Sequence, residues 1–357
     1  MTDAQAHYDR VFEIIMAGWG SQAVRTLAEL SVAEHLESQS LTADEIARRE
    51  STDPAMTYRL LRAGVALGML EYDADSGLFH GTPLLSMLHQ DSDISLKYYA
   101  MACLDRALWL PALYLPEAVR TGHSQAEQAL GSDVFTYLSQ HQDEGRKFGA
   151  AMTNLSGPVI REAVPVIDIG EARTVVDVGG AEGAFAAELV QRHPQLSGLV
   201  LDLPHAMPGV AEEAARRGLG DRIAGVPGDF FDKVPSGDIY LLKFILHDWD
   251  DESCVKILSN IRAAMNPRAR LFIVEMAVSG TGASLGAALM DMGMLFGHGG
   301  KERELPQFEE LVKAARMRTA RVVAIQNPYH VIEVEAALSP RTAWRRRRRI
   351  YGKYRDL

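Results

Sequence analysis

The fold is decided by one stretch, Thr174-Val175-Val176-Asp177-Val178-Gly179-Gly180-Ala181-Glu182-Gly183. Its apolar first half is typical of a buried parallel strand. Two glycines interrupt that run, and a helical spacing of apolar residues begins just after Gly183. Strand, glycine turn and helix in this order open a nucleotide-type α/β domain, because the turn needs residues without a Cβ where the backbone bends close to a ligand.

The turn does not fit a dinucleotide. The pattern G-x-G-x-x-G fails because Ala181 stands where the second glycine belongs. Glu182 also places a carboxylate at the helix N-terminus, where a pyrophosphate would bind. A cationic ligand without phosphate, such as S-adenosylmethionine, suits this turn better. Taken alone, the stretch is also compatible with a tight turn that binds no ligand. Residues further along the chain are needed to choose between the two interpretations.

Strand and helix patterns alternate after the turn, which predicts a doubly wound, Rossmann-like α/β sheet. Further strands are predicted near residues 199–201, 223–226, 239–242, 271–274, 321–325 and 330–334. Before the turn, amphipathic helices and a hairpin predict a mainly helical, winged-helix module, with Val24 and Leu27 on its second helix. Helix starts are predicted by a capping box, Thr42 with Glu45, and by Asp53 before a proline.

Four regions follow from these patterns. We expect a winged-helix-like dimerisation domain at 1–97 and a helical linker that carries the substrate pocket at 98–168. A cofactor-binding α/β domain should cover 169–338, and a basic tail, expected to be disordered, 339–357.

Charge separates two interpretations of the N-terminal module. A winged helix can bind DNA, but residues 1–90 contain six arginines, no lysine and thirteen acids. Phosphates would repel this surface, so packing or dimerisation is favoured over DNA binding. Residues 341–357 carry a net charge of +7, which leaves −17 on the rest of the chain. An acidic body argues against nucleic acid as the main partner.

Polar or aromatic side chains follow the ends of successive predicted strands. They are Asp202, Asp229 with Phe230, and Lys243, and the glycine turn at Gly179 follows the first of these strands. Ligands of such sheets bind at the carboxyl ends of the strands. Asp202 lies at the distance from the glycine turn at which an acid binds ribose hydroxyls, Asp229 can accept from an adenine amino group, and Phe230 can stack on the base. Each residue alone could be a solvated turn residue, but together they predict a cofactor site.

His247 is the candidate general base. It is predicted to lie between a strand end and a helix capped by Asp250, and two acids are expected close to it: Glu275, at the end of the fifth strand, and Glu302. An imidazole between two carboxylates is oriented and its pKa is raised, which suits removal of a proton from a phenol. The alternative interpretation of Glu302 is an ion pair with a neighbouring lysine or arginine.

Bulky apolar residues of the helical linker are candidates for the substrate pocket. Trp109, Phe148 and Met152 can form its walls, and Asp291 and Met294 are expected to line it from the α/β domain. The plainer interpretation of the linker residues is a core or a subunit interface.

Six motifs together resemble a known family, over roughly residues 10 to 338. They are Leu60-Leu61-Arg62, Val176-Asp177-Val178-Gly179-Gly180, Leu201-Asp202-Leu203-Pro204, Gly228-Asp229-Phe230-Phe231, Leu246-His247-Asp248-Trp249 and Gly300-Lys301-Glu302-Arg303. The sequence resembles the bacterial, secondary-metabolite branch of the S-adenosylmethionine-dependent O-methyltransferases related to plant caffeic acid methyltransferases. Ala181 departs from the usual third glycine of the family, and its small side chain should still permit cofactor binding.

The resemblance implies a class I methyltransferase domain and a homodimer formed through the N-terminal domain. It also implies that Gly179, Asp202, Asp229, Phe230 and Lys243 bind S-adenosylmethionine. His247 would be the base, and Glu275 and Glu302 its carboxylate supports. The expected function is methylation of a phenolic hydroxyl on a small aromatic secondary metabolite. The alternatives are non-methylating chemistry on an aromatic substrate and a ligand-responsive DNA-binding regulator.

Composition adds expectations about metals and compartment. The two cysteines, Cys103 and Cys254, supply neither a disulfide framework nor a cysteine-based zinc site, and no metal is expected. No apolar run is long enough to cross a membrane, and the N-terminus lacks the pattern of a signal peptide. We therefore expect a cytoplasmic protein with no membrane partner.

Overall fold

The structure, a computed structural model, describes residues 3–92, 94–278 and 282–337. The basic tail predicted at 339–357 lies outside the described residues. The chain divides into two compact units. The first contains the described residues up to Pro158 together with Phe296–His298, and the second contains Val159–Leu295 and the described residues from Gly299 onward. The domain limits given above stay a prediction.

The first unit is mainly helical. Its elements are α1 (Asp3–Glu29), α2 (Val32–His35), α3 (Ala43–Glu50), α4 (Pro54–Ala66), β1 (Leu70–Asp73), β2 (Leu78–Gly81), α5 (Lys97–Cys103), α6 (Arg106–Ala112), α7 (Leu115–Thr121), α8 (Ala126–Leu130), α9 (Val134–Gln140) and most of α10 (Gln142–Ala163). β1 and β2 form an antiparallel hairpin. As predicted, a group of helices precedes the hairpin, and α3 and α4 begin at the predicted caps.

Local capping chemistry starts two of these helices as predicted. The hydroxyl of Thr42 accepts from the N–H of Glu45, whose carboxylate accepts from the N–H of Thr42. Asp53 accepts from the N–H of Met56 and is followed by a proline at the first position of α4. Each such cap satisfies backbone groups that the helix leaves unpaired and stabilises it by about 1 kcal/mol.

The prediction of a separate second helix carrying Val24 and Leu27 is wrong. Both residues belong to α1, which is 27 residues long. The break comes later, at Ser31, whose φ of 46° lies in the left-handed region. Gly18 and Gly20 lie inside α1, where an added Cβ would make only an ordinary van der Waals contact: on Gly20 it would lie 3.5 Å from a methyl group of Leu67.

The second unit is a seven-stranded sheet covered by helices. Its strands are β3 (Thr174–Val178), β4 (Ser197–Asp202), β5 (Ile223–Pro227), β6 (Gly237–Lys243), β7 (Met265–Met276), β8 (Met317–Ala324) and β9 (Tyr329–Ala336). Its helices after α10 are α11 (Ala184–Arg192), α12 (Met207–Arg216), α13 (Asp251–Ala264), α14 (Leu285–Gly293) and α15 (Leu305–Ala314).

The sheet has the order β5-β4-β3-β6-β7-β9-β8. The first five strands are parallel, and β9 pairs antiparallel with both β7 and β8. β5, which ends in Pro227, forms one edge. β8, which carries Arg318 and Arg321, forms the other. The predicted doubly wound fold is confirmed.

The central strands β3 and β6 are buried on both faces, which explains why they are apolar. Val175 of β3 packs into one core layer with Phe185 of α11, and Val176 packs into the opposite layer with Ile257 of α13. Successive residues of a strand point to opposite faces, so a strand covered on both sides is apolar at most positions, and in β3 the buried exception is Asp177. None of the described helices combines the length and the apolar character needed to span a bilayer.

Candidate active site

The carboxyl ends of five parallel strands meet at one edge of the sheet, and the predicted cofactor residues lie there. Gly179 follows β3 directly, Asp202 ends β4 and Lys243 ends β6. Asp229 and Phe230 follow β5, which pairs with β4 through Pro227. The parallel register therefore brings together side chains that are widely separated in the sequence.

The glycine turn after β3 leaves a backbone cradle. Gly179 has a φ of +68°, and a Cβ there would lie 2.5 Å from Cδ1 of Ile245 and 3.5 Å from Cε1 of Phe230. Ala181 also has a positive φ, 49°, and donates its N–H to Oδ2 of Asp202 over 2.8 Å. The turn is thereby tied to the end of β4, with an acidic side chain against its backbone.

Asp177, within β3, is a buried acid to which the sequence analysis gave no function. Its Oδ2 accepts from the N–H of Ala186 in the first turn of α11 over 3.0 Å. Burial raises the pKa of Asp177 to about 6, although this hydrogen bond and the charge of Lys243 lower it. Loss of hydration lowers the pKa of Lys243 to about 8, although Asp177, Glu275 and Asp248 raise it. The predicted cofactor residue Lys243 thus lies among acids.

His247 lies in a short 3-10 helix, Leu246–Asp248, between β6 and α13. Its Nδ1 is 2.9 Å from Oε1 of Glu302, a hydrogen bond, and 3.9 Å from Oε2 of Glu275. Its Nε2 is 3.5 Å from Oδ1 of Asp248. The structure therefore brings His247 together with both predicted acids, and of these two only Glu302 hydrogen-bonds the ring.

Glu275, on β7, binds the loop that carries His247. Its Oε1 accepts the N–H groups of Ile245 and Leu246 over 3.0 and 2.8 Å. Among the described residues, the second carboxylate oxygens of Glu275 and Glu302 are buried and accept no hydrogen bond. Glu275 thus supports the backbone of the loop as well as carrying charge near the ring.

The alternative interpretation of Glu302, an ion pair with its neighbours, does not hold. The ammonium of Lys301 is 2.9 Å from Oδ2 of Asp251, and the guanidinium of Arg303 is 2.8 Å from Oδ1 of the same residue. Both cations therefore pair with the first residue of α13. The carboxylate of Glu302 is directed instead to His247.

Three acids determine the protonation of the ring. Burial alone lowers the pKa of His247, but Asp248, Glu275 and Glu302 outweigh it and raise that pKa to about 10. Burial raises the pKa of Glu275 to about 7, although the charge on His247 lowers it. One ring nitrogen of His247 and one carboxylate oxygen each of Glu275 and Glu302 lie within 4.8 Å of one another. Because the Nδ1–Oε1 pair is a direct hydrogen bond, we interpret the group as a charge cluster and assign no metal to it.

The five residues predicted to bind substrate fall in both units. Trp109 lies on α6, and Phe148 and Met152 lie on α10, all half-buried in the first unit. The ring of Phe148 makes an edge contact with that of Phe135, with centroids 6.5 Å apart.

In the second unit, Met294 is buried and Asp291 accepts the N–H of Glu302 over 2.9 Å. Asp291 therefore has a partner in the protein backbone that the sequence did not predict.

Comparison with known proteins identifies the family. A family model described as an O-methyltransferase domain matches residues 113–318, more than half of the chain, and one described as an O-methyltransferase dimerisation domain matches residues 12–91. The chain belongs to the O-methyltransferase family. The O-methyltransferase SfmM3 of Streptomyces lavendulae is 35% identical to it over 89% of this chain and 97% of that protein.

Two further relatives of this O-methyltransferase show the range of the family. The solved structure of the mitomycin 7-O-methyltransferase MmcR superposes with a TM-score of 0.88 at 28% identity, covering 94% of this chain and 99% of that one. Phenazine-1-carboxylate N-methyltransferase of Pseudomonas aeruginosa is also 28% identical, over 88% of this chain and 92% of that protein. Relatives of similar identity thus carry names for methylation at oxygen and at nitrogen.

The O-methyltransferase uses S-adenosylmethionine as its methyl donor. The observed site fits that group. The turn after β3 has no room for a Cβ at Gly179, which would lie 2.5 Å from Cδ1 of Ile245, and the acid Asp202 is hydrogen-bonded to the same turn. Acidic side chains at this edge suit a ligand that carries an ammonium and a sulfonium and no phosphate.

Proposed function

We propose that this O-methyltransferase methylates a phenolic hydroxyl of a small aromatic secondary metabolite, with His247 as general base. The observation that carries the proposal is the hydrogen bond of 2.9 Å between Nδ1 of His247 and the buried carboxylate of Glu302. This bond lies at the strand edge that also holds the glycine turn. A base, its orienting acid and a cofactor cradle at one edge are the parts that a proton-coupled transfer requires.

The hydrogen bond determines which ring nitrogen acts. When Nδ1–H donates to Glu302, the lone pair of the neutral ring is on Nε2. The 3.5 Å between Nε2 and Asp248 is too long for a good hydrogen bond, so Nε2 can accept the proton of a substrate hydroxyl. When bound, the cofactor supplies an electrophilic methyl group on a sulfonium, and that positive charge opposes a second positive charge on the ring.

The acids around His247 make it a stronger base. Asp248, Glu275 and Glu302 outweigh burial and raise the pKa of His247 to about 10. A base with a raised pKa takes a proton more readily from a phenol, whose own pKa is about 10. The neutral ring is the minor form at pH 7, so we expect the rate to rise as the pH is raised toward 10.

We assign the cofactor contacts by position. The backbone at Gly179 would approach the methionine portion, and Asp202 would accept the ribose hydroxyls. Asp229 would accept from the adenine amino group, Phe230 would stack on the adenine, and Lys243 would close the site from β6. Support comes from their common position at the carboxyl edge of the sheet.

We propose Trp109, Phe148 and Met152 as candidate substrate contacts in the first unit and, separately, Asp291 and Met294 as candidate substrate contacts in the second. Aromatic and methionine side chains make large, adaptable contacts with flat ligands. Asp291 already accepts one backbone N–H, which leaves its second oxygen as the candidate contact to substrate.

We further propose that the protein is a homodimer formed through α1. Four large apolar side chains follow one face of this helix and are 53 to 75% exposed: Tyr8, Phe12, Ile15 and Trp19. A continuous apolar stripe of this size on a helix needs a partner surface. The match of residues 12–91 to a dimerisation domain supports a second copy as that partner.

The proposed function is tested by incubating the protein with isotopically labelled S-adenosylmethionine and a panel of aromatic phenols and aromatic amines, read by mass spectrometry. Label on the phenolic oxygen, lost in His247→Ala, is the expected result. Label only on amines would overturn the phenolic assignment. Cofactor binding without transfer to any member of a broad panel would favour non-methylating chemistry.

A further inference from the structure

The loop that carries His247 is held by a side chain with no assigned function. The loop runs from the end of β6 to the start of α13, over residues 244–250. The hydrogen bond between His247 and Glu302 requires that the backbone of this loop be fixed. A shift of about 1 Å in a catalytic group can lower the rate 10²-fold.

Arg303 contacts this loop on both sides of His247. Its Nη1 donates to the carbonyl of Leu246 over 2.6 Å, and its Nη2 donates to the carbonyl of Trp249 over 2.7 Å. Its Nε and Nη2 both donate to Oδ1 of Asp251, over 3.1 and 2.8 Å. The side chain is 0% exposed. A buried guanidinium is tolerated only when such acceptors compensate its lost hydration, and here all three acceptors lie on the loop or at the start of α13.

The residues beside Arg303 bind the same loop. The N–H of Lys301 donates to the carbonyl of His247 over 2.9 Å. The N–H of Glu302 donates to Asp291 over 2.9 Å, which ties this segment to α14. The segment that supplies the orienting carboxylate therefore also fixes the backbone of the base.

We propose that Arg303 is a positioning residue for His247: its guanidinium locks residues 246–251 so that the imidazole remains on Glu302 and presents Nε2 to substrate. This inference rests on the proposed function. It gives Arg303 no contact with substrate or cofactor.

The positions of the three acceptors around residue 303 require an arginine side chain. A planar guanidinium presents its donors in a fixed fork and can bind three acceptors at once, whereas the compact ammonium of lysine has no such fork. Arg303→Lys keeps the charge and removes the simultaneous contacts. We expect it to lower kcat by about 10²-fold, with the dissociation constant for S-adenosylmethionine changed by less than a factor of two.

The pH profile distinguishes positioning from general stability. The groups that face His247 are Asp248 on its own loop, Glu275 on β7 and Glu302. Lys243 on β6 and Tyr329 on β9 lie close to these acids. If the loop loosens, the ring leaves Glu302 and the pKa of His247 falls toward its ordinary value near 6.5. The rise of rate with pH should then begin at lower pH in Arg303→Lys than in the wild type.

Arg222 provides a matched control. Its guanidinium also binds backbone carbonyls, those of Val190, His193 and Leu196, but it precedes β5 and so lies at the amino edge of the sheet. Arg222→Lys should lower the melting temperature while kcat and its pH profile stay unchanged. Equal losses of kcat in Arg222→Lys and Arg303→Lys that track stability would overturn the proposal.

Two further variants keep the test decisive if Arg303→Lys folds poorly. Asp251→Ala removes one anchor of Arg303 at a side chain that is 58% exposed, and we expect it to lower kcat several-fold with the same direction of pH shift. Added guanidinium should restore part of the activity of Arg303→Ala.

Two results together would refute the positioning function of Arg303: a wild-type kcat and pH profile in Asp251→Ala, and no restored activity when guanidinium is added to Arg303→Ala. Wild-type activity in His247→Ala would instead refute the general base.

Discussion

At the scale of single residues, the proposed base gives the sharpest prediction. His247→Ala should lower kcat by ~10²–10⁴-fold near neutral pH, the usual contribution of general base catalysis, while calorimetry shows nearly unchanged cofactor affinity. The loss should shrink toward pH 10, because a phenol with a pKa of about 10 then ionises unaided. A wild-type rate at pH 7 would show that positioning alone carries the catalysis.

Glu302→Gln tests the orienting carboxylate. Nearby acids raise the pKa of His247, so removing one negative charge must lower that pKa. The neutral ring is the active form, and its population grows as the pH rises through this pKa. The rise of rate in Glu302→Gln should therefore occur at lower pH than in the wild type, with a smaller loss of kcat than in His247→Ala. A pH profile that does not move would contradict the assigned coupling.

Asp202 tests the cofactor site. Asp202→Ala should weaken S-adenosylmethionine binding by ~1–3 kcal/mol, the cost of leaving polar ligand groups unpaired. Part of this loss belongs to the turn, because Asp202 also accepts the N–H of Ala181. Asp221→Ala, at an exposed acid just before β5, is the control and should bind normally. Equal affinities of the two variants by calorimetry would argue against the assignment.

Predictability from the sequence differs between these residues. The proximity of His247 and Glu302 was predictable, because each stands in a motif beside the strand ends where ligands bind. Asp177 and Arg303 were not, since an acid inside an apolar run and an arginine in a charged loop give no sign that both are almost completely buried. Burial depends on elements that are distant in the sequence, so spacing along one segment cannot predict it.

At the scale of elements, the support of the His247 loop predicts contrasting effects for two glycines. A Cβ on Gly300 would lie 1.9 Å from the carbonyl oxygen of His247, whereas nothing lies within 4 Å of a Cβ on Gly286 in α14. Gly300→Ala must displace the loop and should lower kcat by about 10²-fold or more. Gly286→Ala should keep full activity, because alanine is tolerated in a helix. Similar activities of the two variants in a steady-state assay would contradict this account.

Helix boundaries were predictable from the sequence where a capping residue marks them. Asp250 caps α13 by accepting from the N–H of Ser253, as predicted. The break after α1 was misplaced because no cap marks it. Ser31 adopts a left-handed φ, and the sequence has no glycine at that position to indicate it.

At the scale of the whole molecule, the exposed face of α1 predicts the assembly. Sedimentation at micromolar concentration should give about twice the chain mass of 39.2 kDa. Ile15→Asp places a charge in the apolar stripe and should yield monomers. Arg10→Ala, on the opposite face of α1, should leave the assembly unchanged. A monomeric wild type, or a dimeric Ile15→Asp, would refute α1 as the interface.

The two edges of the sheet limit how these molecules can associate. Pro227 at the end of β5 has no N–H with which to pair an incoming strand, and β8 exposes Arg318 and Arg321. Proline and charge on edge strands oppose the addition of another chain. Polymerisation through the β-sheet is therefore disfavoured, and self-association through a helical face closes after two copies. We expect concentrated solutions of the enzyme to contain dimers and no fibrils.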